Sequence, residues 1–276
     1  MGIIRFKTSR PAGDLIASLA GIKKICSDTN SKAIIAQHLG FKGIGYHGAI
    51  HPFQDEQGDT ITMNEYMFNM LRPLLIAQDY IEDFIIYEGQ PIDYDLDKTI
   101  QETFTNQPKG SLNRWLFYVY PQMSCDLSKE WITLPMIEVF GGKSVLSFKN
   151  KVIINQTDRY KNYVINYFFL KKYEQHLIFA GMPSEHENFC KQWGIDIPHL
   201  KVENFLELAT AIKSCKFFMG NASVCFQLAE AMKVPRLLEI CPMMPNVIPI
   251  GENAYDFYHQ QSAEYLFEKL FFLDKN

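Results

Sequence analysis

The chain has 276 residues, with 27 Lys and Arg against 31 Asp and Glu and a formal net charge of −4. Hydrophobic residues make up 47% and charged residues 21%, the proportions of a folded soluble protein, so the composition excludes a disordered or collagen-like chain. The slight acidity argues against nucleic acid or an anionic membrane as the main partner.

Ile3–Phe6 is the first apolar run and predicts a strand. Apolar residues at 15, 16, 19, 22 and 25 recur with helical spacing and predict a helix from Leu15 to Ile25. Lys32–Ala36 predicts a second strand, and the Gly/His/Pro-rich stretch from Gly40 to Asp59 a long loop facing a cleft. Met63–Ala77 reads as a helix despite Pro73, and Asp83–Tyr87 as a strand. From Gly89 to Gly142 no clean period exists, and Trp115–Val119 fits helix and strand equally.

Beyond Lys151 the rhythm is regular. Strands are predicted at Val152–Ile154, Leu177–Ala180, His199–Val202, Phe217–Met219 and Arg236–Glu239. Helices fall at 162–173, 184–193, 203–214 and 223–232, with a last one at 262–272 closing the chain. Alternating short strands and helices give an α/β protein with two Rossmann-like domains facing a cleft. The expected division is 1–148 and 149–276, with the boundary near Ser147–Asn150.

No window of about 18 apolar residues predicts a membrane span. Arg5 and Lys7 interrupt the only apolar run at the N-terminus, so no signal peptide is expected. Phe6 stands where a myristoylation signal wants Ser or Thr. The six cysteines form no C-x-x-C pair, which fits free thiols and a cytoplasmic protein.

Gly43-Ile44-Gly45-Tyr46-His47-Gly48 is a literal G-x-G-x-x-G, but Pro52 blocks the helix that a dinucleotide fingerprint must open. His47 and His51 are four apart without a matched third ligand, and the nearby Asp55, Glu56 and Asp59 fit a solvated loop. No metal site is expected.

Gly13-Asp14 follows the first strand, where Asp14 could cap the helix or present a carboxylate at the carboxyl end of a parallel sheet. Thr157, Arg159 and Lys161 follow the first strand of the second unit, a setting that suits a diphosphate. Gly181 to Glu185 makes another strand-to-helix turn. Gly220 and Asn221 permit a tight turn before Ser223, a potential cap of a helix whose N-terminus could receive phosphate. Glu230 and Glu239 are candidates for holding ribose hydroxyls.

Gly13-Asp14-Leu15-Ile16-Ala17-Ser18-Leu19 resembles the G-D-x-x-x-x-L-P opening of the heptosyltransferase-like glycosyltransferases, with Ala20 in place of the usual proline. The order of Thr157 and Arg159, the Gly181–Glu185 turn, and Gly220–Met232 followed by Val234-Pro235 is also similar to that family. Two departures stand out. The family's D-[ST]-G-x-x-H is Asn221-Ala222-Ser223 with Gln227 near the His position, and the family's basic residue is only approximately matched by Arg159 or Lys161.

The resemblance implies a GT-B fold and transfer of a sugar from a nucleotide-diphosphate sugar to an acceptor hydroxyl. It further implies Asp14 as general base, the leaving diphosphate on the C-terminal domain, and no metal or other cofactor. The acceptor could be a glycan, a lipid-linked saccharide or another hydroxyl compound. Two alternatives remain at this level: a sugar-nucleotide epimerase or hydrolase, and a non-catalytic binding protein that keeps the cleft.

Overall fold

Two parallel sheets, one from each half of the chain, carry the architecture. The computed structural model describes residues 2–43, 53–99, 110–136, 139–140 and 143–273. The first sheet holds β1 (Gly2–Thr8), β2 (Ser31–Gln37), β3 (Ile81–Ile86) and the short β4 (Tyr94–Asp95) in the order β3-β2-β1-β4. Between its strands run α1 (Ala12–Thr29) and α2 (Glu65–Ile76). Asn30 ends α1 in the left-handed region, and Asn64 caps α2 by accepting from Met67 N at 2.9 Å. Pro73 lies inside α2 without ending it.

In the middle of the chain Trp115–Val119 is helical (α3), which settles that ambiguity, and β5 (Val139–Phe140) and β6 (Lys143–Ser144) form a small hairpin. The second sheet comprises β7 (Val152–Asn155), β8 (Leu177–Phe179), β9 (Phe217–Asn221), β10 (Arg236–Glu239) and β11 (Ala254–Phe257), all parallel, in the order β11-β10-β9-β7-β8. Its helices are α4 (Pro183–Trp193), α5 (Phe205–Ser214), α6 (Val224–Ala231) and α7 (Gln260–Phe271).

Three expectations in this half are corrected. Residues 162–166 are not helical, and 3₁₀ turns take over at Tyr167–His176. There Asn162 and Asn166 accept from Val164 N and Phe168 N, local bonds that compete with an α-helix. His199–Val202 is not a strand: a single bridge joins His199 to Phe179 before the chain turns towards the Asn204 cap of α5. β11 was not expected. Its only signal is the turn before it, where Gly251 and Asn253 take positive φ.

The strands alternate between two apolar layers, as a parallel sheet covered on both faces requires. Val152, Ile154, Phe217, Met219 and Leu237 face a layer with Tyr167, Trp193 and Phe267. Ile153, Phe218 and Leu238 face the other way, into a core that continues through α5 and α6 to α1, α2 and the first sheet. The halves therefore meet through packed helices, α1 on α6 and α2 on α5. Trp131 ties this junction: its indole N–H donates to Ile16 O at 2.9 Å and its backbone N–H to Ala231 O at 3.0 Å.

Candidate functional site

In open parallel sheets the crevice for ligands opens at the carboxyl ends of strands where the strand order reverses. In the first sheet this point lies between β1 and β4, and in the second between β7 and β9. The loops leaving these ends carry most of the residues singled out from the sequence. Gly13 brings the two ends together, because a Cβ there would lie 3.6 Å from the backbone of Val224, the first residue of α6.

Asp14 is the third residue of α1, whose N-cap is Pro11 with no side-chain cap bond. The carboxylate is therefore not spent on capping, although it still sits at the positive end of the helix dipole. It keeps a partly exposed surface while lying deep in surrounding protein. Burial raises its pKa above the ordinary aspartate value, and the neighbouring Arg10 cation pulls it back down. From the other half Tyr160 comes close enough for Asp14 to oppose its ionisation; burial is the larger cause, and Arg159 acts in the opposite sense.

Around β1 and β4 the charges are interlocked. Lys7 Nζ pairs with Asp95 at 3.2 Å and Asp97 at 3.1 Å, and Ser9 N donates to Asp97 Oδ1 at 2.8 Å. Arg10 is fully buried, donating to Leu96 O at 3.3 Å and more weakly to Ser18 Oγ at 3.5 Å.

The β7–β9 end is built differently. Asn221, fully buried, accepts from Thr157 N at 2.9 Å and Thr157 Oγ1 at 3.3 Å and returns a bond to Thr157 O at 2.9 Å. These two expected donor ligands thus clamp each other and hold the loop that leaves β7. Gly220 allows that closeness, since a Cβ there would collide with the backbone oxygen of Asn155. Ser223 caps α6 through Phe226 N at 3.2 Å. Glu185 is buried and accepts from Met182 N at 3.0 Å; burial raises its pKa, while that bond and the nearby Arg159 lower it. A Cβ on Gly181 would come within 2.9 Å of Glu185 Oε2 and 3.0 Å of Asn155 Nδ2. Lys161 is paired with Asp158 at 2.7 Å.

Both ribose candidates have other partners. Glu230, 1% exposed, forms ion pairs with Arg236 and Lys233. Glu239 is fully buried; it accepts from Gln156 Nε2 at 3.0 Å and from Asn162 N and Tyr167 Oη. Its role is to anchor the Gln156–Asn162 segment from beneath. A carboxylate enclosed in this way has no oxygen to offer a ribose, so both assignments are withdrawn.

Among the described residues, no three or more His, Cys, Asp or Glu are grouped to hold a metal ion. His47 and His51 lie outside those residues, as does the G-x-G-x-x-G motif beyond Gly43. None of the six cysteines is joined in a disulfide, and burial pushes the Cys225 thiol up to about 12. No described helix is long and apolar enough to cross a membrane.

Two residues at the site were not singled out from the sequence, Arg10 and Tyr160; Gln227, noted there as standing near the family's His position, packs beside Gly13. A cation four residues before Asp14, at a strand end, was the available signal for Arg10. For Tyr160 none existed, because its neighbour lies in the other half.

No family model matches the sequence, and no curated protein matches it. In three dimensions it is similar to the ADP-heptose LPS heptosyltransferase II of E. coli, with a TM-score of 0.56 and 14% identity over 98% of each chain. A glycosyl transferase of family 9 from Veillonella parvula gives 0.54 at 10% identity, over 100% of this chain and 90% of the other. E. coli heptosyltransferase WaaC, solved with ADP-2-deoxy-2-fluoro heptose, gives 0.54 at 9% identity over 97% of this chain and 99% of that one. The chain has the GT-B fold of these glycosyltransferases, as the resemblance implied.

Proposed function

We propose that this chain is a glycosyltransferase that moves a sugar from a nucleoside-diphosphate sugar to an acceptor hydroxyl. The observation that carries the reading is the meeting of the two strand-end loops: α1, on which Asp14 makes no cap bond, touches the start of α6, and Tyr160 from the β7 loop lies within electrostatic reach of Asp14. Asp14 takes the proton of the acceptor hydroxyl as the bond between the anomeric carbon and the diphosphate breaks. A carboxylate whose pKa burial has raised is a stronger base for that step. Charge developing on the leaving diphosphate is met by Arg159 and by the backbone N–H groups that open α6.

No metal or other cofactor is needed in this scheme, since the cation and the helix terminus do the neutralising. The donor classes to try follow from the ADP-heptose named with the neighbouring structures, and the acceptor is a glycan, a lipid-linked saccharide or another hydroxyl compound. Cytoplasmic action fits a chain whose six cysteines form no disulfide.

A thermal-shift screen against ADP, GDP, UDP, CDP and their sugar conjugates tests the donor site. Selective stabilisation by one diphosphate, about 2.7 kcal/mol at a hundred times its Kd, supports the reading and names the base. A flat panel overturns it in favour of a binding protein that does not use nucleotides.

A further inference from the structure

Arg10 is a buried cation with an unfinished set of partners. Its guanidinium is 1% exposed and remains charged at any ordinary pH, so it requires negative charge close by. Among the described residues its guanidinium donates only to neutral acceptors, Leu96 O and Ser18 Oγ, and its Nε–H has no partner. Two carboxylates act on it, Asp14 and Asp97. Asp97 is already engaged by Lys7 and by the backbone N–H of Ser9. Asp14 has no cap bond and, among the described residues, no ion pair.

Ser18 fixes the geometry. Its Oγ accepts from Arg10 Nη1 and donates to Asp14 O at 2.8 Å, which lays the guanidinium along the turn of α1 that carries Asp14. From the other half Tyr160 and Arg159 lie within electrostatic reach of one another and Tyr160 within that of Asp14, while α6 brings the uncharged Val224 and Gln227 against Gly13. We propose that Arg10 is a positioning residue for the reaction: its buried cation, held by Ser18 against the turn of α1 that carries Asp14, keeps the Asp14 carboxylate in the anionic form that takes the acceptor proton. The inference rests on the reading of Asp14 as base. Without a cation here, burial would leave Asp14 protonated over a wider pH range and unable to accept.

The test is an NMR titration of the full chain carrying ¹³C-labelled aspartate, with the Asp14 resonance assigned by its loss in Asp14→Asn. Replacing Arg10 by Met should raise the Asp14 midpoint by about 1–3 pH units, and Arg10→Lys should bring it most of the way back. A melting curve shows that each variant is folded; if Arg10→Met is not, Arg10→Gln, which can keep the bond to Leu96 O, takes its place. An Asp14 midpoint that stays put in the folded neutral variant overturns the proposal. The reading of Asp14 fails separately: full-rate transfer by Asp14→Asn would remove its role as base while leaving a shifted midpoint, and with it the electrostatic coupling of Arg10 to Asp14, intact.

Discussion

The two strand-end loops that meet at the crevice differ in what becomes of their charged groups. At the β7–β9 end the buried carboxylates and the clamp residue are committed inside the protein, Asn221 to Thr157, Glu239 to Gln156, Asn162 and Tyr167, and Lys161 pairs with Asp158, while neutral carboxamide oxygens, Asn155 Oδ1 and Gln227 Oε1, are left over. At the β1–β4 end, among the described residues, charged groups are left over: Asp14 has no ion pair, and Arg10 Nε lacks a hydrogen-bond partner beside Ser9 Oγ and Gln37 Oε1. Saturated polar networks rigidify, whereas an unsatisfied buried group costs stability and marks a place for chemistry. In the function we propose, the second half serves as the frame for donor recognition and the first carries the reactive group.

That contrast breaks most visibly at Asp14. Asp14→Asn should lower transfer by about 10²- to 10⁴-fold in an assay of released nucleoside diphosphate. Donor affinity in the thermal-shift screen should stay within a few fold. A variant that transfers at full rate would move the reactive group elsewhere.

On the frame side the large effects should be on stability. Arg236→Met leaves Glu230 buried with only Lys233 as a charged partner and should cost about 3 kcal/mol by urea unfolding. If nucleotide affinity fell instead, with stability unchanged, the ribose role of Glu230 would return. Gly220→Ala forces a Cβ onto the Asn155 carbonyl and should cost about 2–3 kcal/mol. Asn221→Ala strands the buried N–H of Thr157 and should cost about 2 kcal/mol, with a weaker donor response as the β7 loop loosens.

The smallest effect concerns pH. Asp14 has a raised pKa in the folded chain, so the stability it contributes is full below its unfolded value of about 3.9 and is lost as pH rises through the folded midpoint. The stability of wild type relative to Asp14→Asn should therefore decline from pH 4 upward. A difference that grows with pH would mean a carboxylate stabilised as an anion, contrary to its burial.

Much of the strand and helix order was legible because period-2 and helical apolar spacing reflect local backbone geometry. The placement of Gly13-Asp14 just after β1 and of Asn221-Ala222-Ser223 just before α6 was legible for the same reason, although Gly13 and Asp14 lie inside α1 rather than in a turn before it. The single bridge at His199 and the strand Ala254–Phe257 were not, since whether so short a segment pairs depends on the neighbouring strand rather than on its own residues.

Side-chain roles divide along the same line. The sequence by itself determined the alternating α/β plan and the placement of Asp14 and Arg159 at strand ends. Only the tertiary structure decided that Gly220 and Asn221 end strand β9 instead of forming a tight turn, with glycine required at 220 by the Asn155 carbonyl. It alone decided, too, that Thr157 and Asn221 bind each other, that Glu230 and Glu239 are enclosed, and that Arg10 and Tyr160 lie within electrostatic reach of Asp14. A carboxylate at a strand end reads the same whether it meets solvent, a ligand or a buried arginine. Which of these it meets is set by packing between segments distant in the chain, and no local pattern encodes that choice.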